Sequence, residues 1–170
     1  MPPEPAVADP NRIEASPTKE FFMFMLTRDI DLTRAIADLV DNCVDGAKRI
    51  RGDTNYENLV VRIEASAERF RIQDNCGGIP VDIARKYAFR FGRAEGMPVT
   101  KHSIGQFGVG MKRALFKLGN VFSIESRHET ERFVVRVNVR EWARAKTNWD
   151  FHFSEINTDL PDAGEEHSRF

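Results

Sequence analysis

Asp38, Asn42, Asp45 and Arg49 recur at the three- and four-residue spacing that puts side chains on one face of a helix. At about 100° per residue, Asn42 lies about 40° from Asp38, Asp45 about −20° and Arg49 about 20°. Leu32, Ile36, Leu39, Cys43, Ala47 and Ile50 form an apolar stripe on the opposite side. A solvated helix face is polar too, but it generally alternates sign to gain i,i+4 pairs. This face opens with two carboxylates and an amide, and meets a cation only at the third turn. The amide oxygen of Asn42 suits a hard cation such as Mg²⁺. Asp38, one turn earlier, suits orienting or deprotonating a water. Gly46 costs about 1 kcal/mol against Ala in a helix interior, which predicts a close approach by another group.

Two further stretches have chemical potential. "RIQDNCGGIP" (71–80) puts Asp74 at the end of a strand, before Gly77 and Gly78. A carboxylate there can accept a hydrogen bond from a ligand N–H, and a neighbouring glycine lets a flat ring lie against the backbone. An ordinary Asp-Asn turn would look the same in isolation. "SIGQFGVGMKRALFKLGN" (103–120) has Gly105, Gly108 and Gly110 ahead of a helix-like run. Glycine turns that lead into helices favour anions. Gly105 and Gly110 have the end-to-end spacing of a Walker A loop, but Met111 follows where Lys and then Ser or Thr are needed. The order G-x-x-G-x-G also reverses the dinucleotide fingerprint.

The elements that would position these residues follow from hydrophobic periodicity. Residues 29–50 read as a long amphipathic helix, and "NLVVRIE" (58–64) and "RFRIQ" (69–73) as a hairpin. A helix is predicted from Pro80 to Phe91, with Gly92 as its stop. Residues 93–104 lack a period and read as a loop. A helix then runs to Leu118, with Gly119 as C-cap. "VFSIESR" (121–127), "RFVVRVNVR" (132–140) and "WDFHF" (149–153) read as strands, with Phe133, Val135, Val137 and Val139 on one face. This order predicts an α/β (α+β) two-layer sandwich: a mixed, mainly antiparallel sheet with helices on one face. It does not suit a parallel, doubly wound sheet. Lys112, Arg113 and Lys117 are expected on a solvated helix face. Cys43 is expected to be plain packing. Phe21, Phe22, Phe24 and Met25 are expected in the core or in an N-terminal docking segment.

The chain has 170 residues, 41% hydrophobic, with a net charge of −1, and its mean hydropathy is −0.44. That is enough for one domain with its own core. No global field points to nucleic acid or membrane. "FFMFML" (21–26) falls far short of the ~20 apolar residues of a membrane span. Cys43 and Cys76 are too few for a four-ligand zinc site, and the histidines lack ligand spacing. No cleavable signal peptide is visible, so a cytoplasmic protein with reduced thiols is expected. The proline-rich residues 1–20 read as a flexible leader, 21–155 as the domain, and 156–170 as a polar tail, truncated before a final strand.

The three motifs, D-x-x-x-N-x-x-D-G (38–46), D-x-x-x-G (74–78) and G-x-x-G-x-G (105–110), occur in an order that resembles the GHKL superfamily of ATP-binding domains. These are the domains of gyrase, the ninety-kilodalton heat-shock chaperone, histidine kinases and MutL. "IGQFGVG" (104–110) is similar to the chaperone's third motif, and "DNCVDGA" and "MKRALFKLG" look closer to MORC-like and bacterial relatives. The resemblance implies the Bergerat fold, ATP and Mg²⁺ as ligands, hydrolysis coupled to lid closure, and an ATP-dependent homodimer. It implies that Asn42 is the Mg²⁺ ligand and Asp38 the water-activating base. Asp45 and Gly46 would line the pocket. Asp74 would accept from the adenine amino group, with Gly78 and Ile79 beside the ring. Gly105, Gln106, Phe107, Gly108, Val109 and Gly110 would hold the phosphates, and 93–104, with Lys101 and His102, would form the lid.

Three departures from the family pattern stand out. Asp38 occupies a position that usually holds Glu; its carboxylate reaches less far, and about 1 Å of misplacement can cost about a hundredfold in rate. Cys76 replaces the glycine two places after Asp74. A Gly-Thr strand that supports the adenine-binding Asp is not found. Two alternatives follow: a nucleotide-dependent switch that does not hydrolyse, and a histidine-kinase catalytic domain. Against the kinase, no helical hairpin with a phospho-acceptor His precedes residue 29, and an acidic residue four before Asn42 suits the hydrolysing branch.

Overall fold

The computed structural model describes residues 10–11, 13–52, 54–92, 109–145 and 148–161. Helix α1 (Lys19–Thr27) is capped by Thr18, whose hydroxyl accepts from Phe21 N at 3.2 Å. It is anchored by its first residue. Lys19 Nζ is buried, donates to the carbonyls of Trp142 (2.7 Å) and Asn148, and sits 4.1 Å from the centre of a Trp142 ring. Phe22 packs edge-on against Phe91 and Trp149. Phe21 and Phe24 face outward, so the apolar run divides between packing and exposure.

Helix α2 (Leu32–Arg51) begins at Asp31, whose Oδ1 accepts from Arg34 N at 2.7 Å. Leu39, Cys43 and Ala47 of the expected stripe are buried, together with Ala35; Leu32 and Ile50, at the two ends, remain exposed. Strands β1 (Val61–Ala65) and β2 (Phe70–Asp74) pair antiparallel, with Ile63 opposite Ile72. The hairpin lies slightly later than the hydrophobic run suggests. Asn58 turns at φ 67°, and Asn75 Oδ1 accepts from Val60 N at 2.7 Å, so the ladder starts at Val61.

The expected helix from Pro80 to Phe91 is shorter and irregular. Helix α3 (Val81–Ile83) passes into a π-helical turn, Ala84–Ala88. Helix α4 (Gly110–Leu118) leads into β3 (Val121–His128) and β4 (Glu131–Asn138), an antiparallel hairpin with Glu129 at φ 50°. The expected strand 132–140 ends early. The Asn138 side chain accepts from Arg140 N and Glu141 N and so caps an unexpected helix, α5 (Val139–Arg144). The expected strand 149–153 is displaced: β5 (Phe153–Asn157) follows it and pairs with β4 across a bulge at Val134/Val135. Trp149 and Phe151 instead pack on Trp142, with ring centres at 5.6 and 5.4 Å. Aromatic packing outweighs strand propensity at these positions.

Phe133, Val135, Val137 and Val139 are buried as the alternation requires, and Val134 is buried as well. β4 lies between β3 and β5. It joins Val81, Ala84 and Trp142 in the main core. A second cluster of Ile30, Ala35, Leu39 and Ala114 joins α2 to α4, with Phe70 and Ile72 of β2 against it. The fold is thus mixed α/β with antiparallel ladders, as expected. Among the described residues, the ladders are separate two- and three-stranded sheets. No described helix is long and apolar enough to cross a membrane.

Candidate functional site

The polar face of α2 is solvated only in part. Asp38 is 6% exposed and Asp45 is also buried, whereas Asn42 and Arg49 are exposed. For Asp38 the cause lies in α4, which packs on α2 in a core shared by Ala35 and Ala114, both with no exposed surface. Small residues there let the two helices approach closely. Arg113 of α4 donates to Asp38 Oδ2 from Nε at 2.9 Å and from Nη2 at 2.7 Å. Arg34 Nε lies 3.3 Å from Oδ1. A Cβ placed on Gly110 would stand 3.8 Å from Asp38 Cβ. The start of α4 therefore lies against the first motif.

This arrangement corrects the expected solvated face of Lys112, Arg113 and Lys117. Lys112 is 3% exposed and donates to the Ala88 carbonyl at the end of the π-helical turn, at 2.8 Å. Burial lowers its pKa to about 8. Lys117 donates to the Thr27 carbonyl of α1 at 3.3 Å. Each cation meets an acceptor on a different element, because α4 is enclosed by α1, α2 and that turn.

Asn42 Nδ2 donates to the Asp38 carbonyl at 2.6 Å. That bond fixes the amide and leaves Oδ1 outside it. An exposed amide oxygen of this kind fits one protein ligand of a Mg²⁺ ion, which usually completes its shell with waters and phosphate oxygens. Among the described residues, no group of three or more His, Cys, Asp or Glu could hold a metal unaided.

The close approach that Gly46 predicts comes from the protein itself. A Cβ there would stand 2.6 Å from the Cys76 carbonyl oxygen. This contact presses the Asp74 turn against α2. Asp74 is exposed, and its Oδ1 accepts from Cys76 N at 2.8 Å. The Cys43 thiol lies 3.4 Å from Asp74 Oδ2 and 3.4 Å from the Leu39 carbonyl. Burial first, then the Asp74 carboxylate, pushes the Cys43 thiol pKa up and that of Cys76 to about 11. Both thiols stay protonated, so Cys43 is a buried hydrogen-bond donor toward Asp74 as well as packing.

Positive φ falls on Gly77 (98°) and Gly78 (62°), not on Cys76. The Cys in the family's glycine position therefore meets no backbone demand here. Gly78 is pressed onto β3, where an added Cβ would stand 2.0 Å from the Arg127 carbonyl oxygen. Arg49 Nη2 donates to the Gly78 carbonyl at 3.3 Å. Ile79 is held at both backbone groups: its N–H donates to Ser126 Oγ at 2.7 Å, and Ser126 Oγ donates to its carbonyl at 3.2 Å. Val81 N donates to Glu131 Oε2 at 2.9 Å. Ser126 and Glu131 escaped the sequence reading. The available signal was a serine at the register of Phe122 and Ile124 on β3.

Val109 is the N-cap of α4 and Gly110 its first residue. Gly105, Gln106, Phe107 and Gly108 lie outside the described residues, as do Lys101, His102 and the expected lid segment 93–104. α2 thus meets Asp74 through Cys43 and the first turn of α4, which opens at Gly110, through Asp38 and Arg113, which brings parts of all three motifs together.

No curated protein matches the chain. A family model described as histidine kinase-, DNA gyrase B- and HSP90-like ATPase matches residues 30–160, which span α2 through β5 and every described motif residue. The chain belongs to this family, and its domain is an ATP-binding domain of the GHKL type.

Proposed function

We propose that the chain binds Mg-ATP on the α2 face and hydrolyses it slowly, with lid closure and an ATP-dependent homodimer as the mechanical output. The observation that carries this reading is the pair of contacts made by α2, Cys43 with Asp74 and Asp38 with Arg113 in the first turn of α4. Asp74 has an exposed carboxylate to accept from an adenine amino group, beside Gly78 and Ile79. Asn42 offers its amide oxygen to a Mg²⁺ ion, which when bound would neutralise phosphate charge. Asp45 and Gly46 continue the same helix face. Gly105 to Gly110 would supply backbone N–H groups to the phosphates at the start of α4. Asp38 would take the proton of the attacking water. The reading places the chain in the cytoplasm, where ATP is available.

A second reading, a nucleotide-dependent switch without useful hydrolysis, is favoured by one observation. Both oxygens of Asp38 are engaged by arginines. Mg-ATP binding and phosphate release by wild type, Asn42→Ala and Asp38→Asn separate the two. The ATPase reading expects Asn42→Ala to weaken Mg-ATP binding. It expects Asp38→Asn to keep binding and lose release. Binding without release in wild type, unchanged by Asp38→Asn, supports the switch. A folded wild type that binds no ATP refutes both.

A further inference from the structure

We propose that Arg113 is a positioning residue that restrains Asp38 and so acts as a built-in brake on hydrolysis. The proposal rests on the nucleotide-site reading above. Asp38 is 6% exposed, and its Oδ2 accepts two N–H groups of one guanidinium, at 2.9 and 2.7 Å. Oδ1 faces Arg34 Nε at 3.3 Å. A carboxylate offers about four acceptor positions; Arg113 fills two of them, and Arg34 adds an ion pair at Oδ1. The Arg113 side chain is 27% exposed and that of Arg34 is 61%, so the Arg113 pair is the less screened and stronger of the two.

In the hydrolytic step a water oxygen forms a bond to the γ-phosphorus. The bond from that phosphorus to the β–γ bridging oxygen breaks, and its electron pair leaves with ADP. The water proton passes to a carboxylate oxygen of Asp38. Its arrival cancels the charge on which both arginine pairs depend, so the Arg113 pair opposes the transfer. The restraint bears hardest on Asp, because its shorter side chain must reach outward for the water while Arg113 holds it toward α4. Arg113 belongs to the first turn of α4, where its N–H donates to the Val109 carbonyl at 2.9 Å. The brake is therefore part of the helix that opens at Gly110. Neither other cation of α4 substitutes for it: Lys112 and Lys117 are committed to the carbonyls of Ala88 and Thr27.

The test uses the full chain, with Mg-ATP affinity measured by titration calorimetry and phosphate release by single turnover. Arg113→Gln is expected to leave affinity within about threefold and to raise release about tenfold, the equivalent of about one charge-assisted hydrogen bond. Arg113→Lys keeps the charge but not the two-pronged contact, and should fall between wild type and Arg113→Gln. Asp38→Asn/Arg113→Gln should return to the rate of Asp38→Asn, because the gain acts through the carboxylate. Release by Arg113→Gln at or below wild type overturns the brake, as does a double variant as fast as Arg113→Gln. If Arg113→Gln does not fold, Arg113→Lys decides alone: faster release supports the brake and unchanged release overturns it. Wild type that binds no ATP overturns the nucleotide-site reading and the brake with it. Normal binding without the gain overturns the brake only.

Discussion

Gly78→Ala and Gly52→Ala can be compared, because both glycines have positive φ, 62° and 63°. At Gly52, the C-cap of α2, nothing lies within 4 Å of an added Cβ. Only the backbone cost remains there, about 1–3 kcal/mol for a non-glycine residue in such a region. At Gly78 the added Cβ would stand 2.0 Å from Arg127 O and 3.1 Å from Ser126 Oγ. Arg127 O is backbone, one pair from the turn end of the β3–β4 ladder, so no side-chain rotation relieves the overlap. Forcing it adds about 1–3 kcal/mol of overpacking. Taking midpoints, Gly52→Ala should cost about 2 kcal/mol and Gly78→Ala about 4 kcal/mol. For a chain of this size each kcal/mol lowers Tm by about 2–4 °C. The difference between the variants is then about 4–8 °C by thermal melting at equal concentration. Gly78→Ala should also displace Ile79 from Ser126 and weaken nucleotide binding, which Gly52→Ala should not. Equal melting temperatures for the two variants would refute the close contact between the Asp74 turn and β3.

Lys112 should give the protein a distinctive alkaline response. Its pKa falls from 10.5 unfolded to about 8 folded. Between these values the unfolded chain binds more protons at Lys112, so the Lys112 contribution to stability rises with pH across that window. Below pH 8 the full cost of burying the charge is present. Relative to Lys112→Met the rise is of order 3 kcal/mol; above pH 9 the raised thiol pKa values of Cys43 and Cys76 destabilise both proteins alike, so the difference between the two proteins at pH 7.5 and pH 10, measured by denaturation, gives the Lys112 slope. The cysteines should resist a thiol reagent at pH 8 in native protein and react fully in denaturant. The Cys76 pKa of about 11, against 9.0, lowers its thiolate fraction about a hundredfold. Labelling of Cys76 at the unfolded rate would contradict its burial.

Much of the fold was legible because local pattern and burial agreed. The α2 stripe holds through Leu39, Cys43 and Ala47, and the inward set Phe133, Val135 and Val137 of β4 is buried, joined by Val134 at the bulge. The failures occur where a side chain overrides that pattern. Asn138 ends β4 by capping α5. Trp149 and Phe151 leave the expected strand to pack on Trp142. The π-helical turn had no sequence signal of its own, and its last carbonyl is satisfied by Lys112 from another helix. Asp38, Asn42 and Asp74 could be singled out as candidates from residue type and motif order. Ser126 and Glu131, which hold the segment after Asp74, lie far along the chain and carry no motif.

By itself, the sequence determined which residues share a helix face, where the glycines interrupt the backbone, and the order of three motifs that marks the family. These depend on local periodicity and residue chemistry, which adjacent residues suffice to specify. The tertiary structure alone decided what meets the polar face of α2. Arg113, 75 positions from Asp38, closes on its carboxylate, and the Cys76 carbonyl fills the space that Gly46 leaves. Periodicity says that a face is polar. Whether that face meets water, a ligand or an arginine depends on which helix packs across it, and that is set by the core that Ile30, Ala35 and Leu39 share with Ala114.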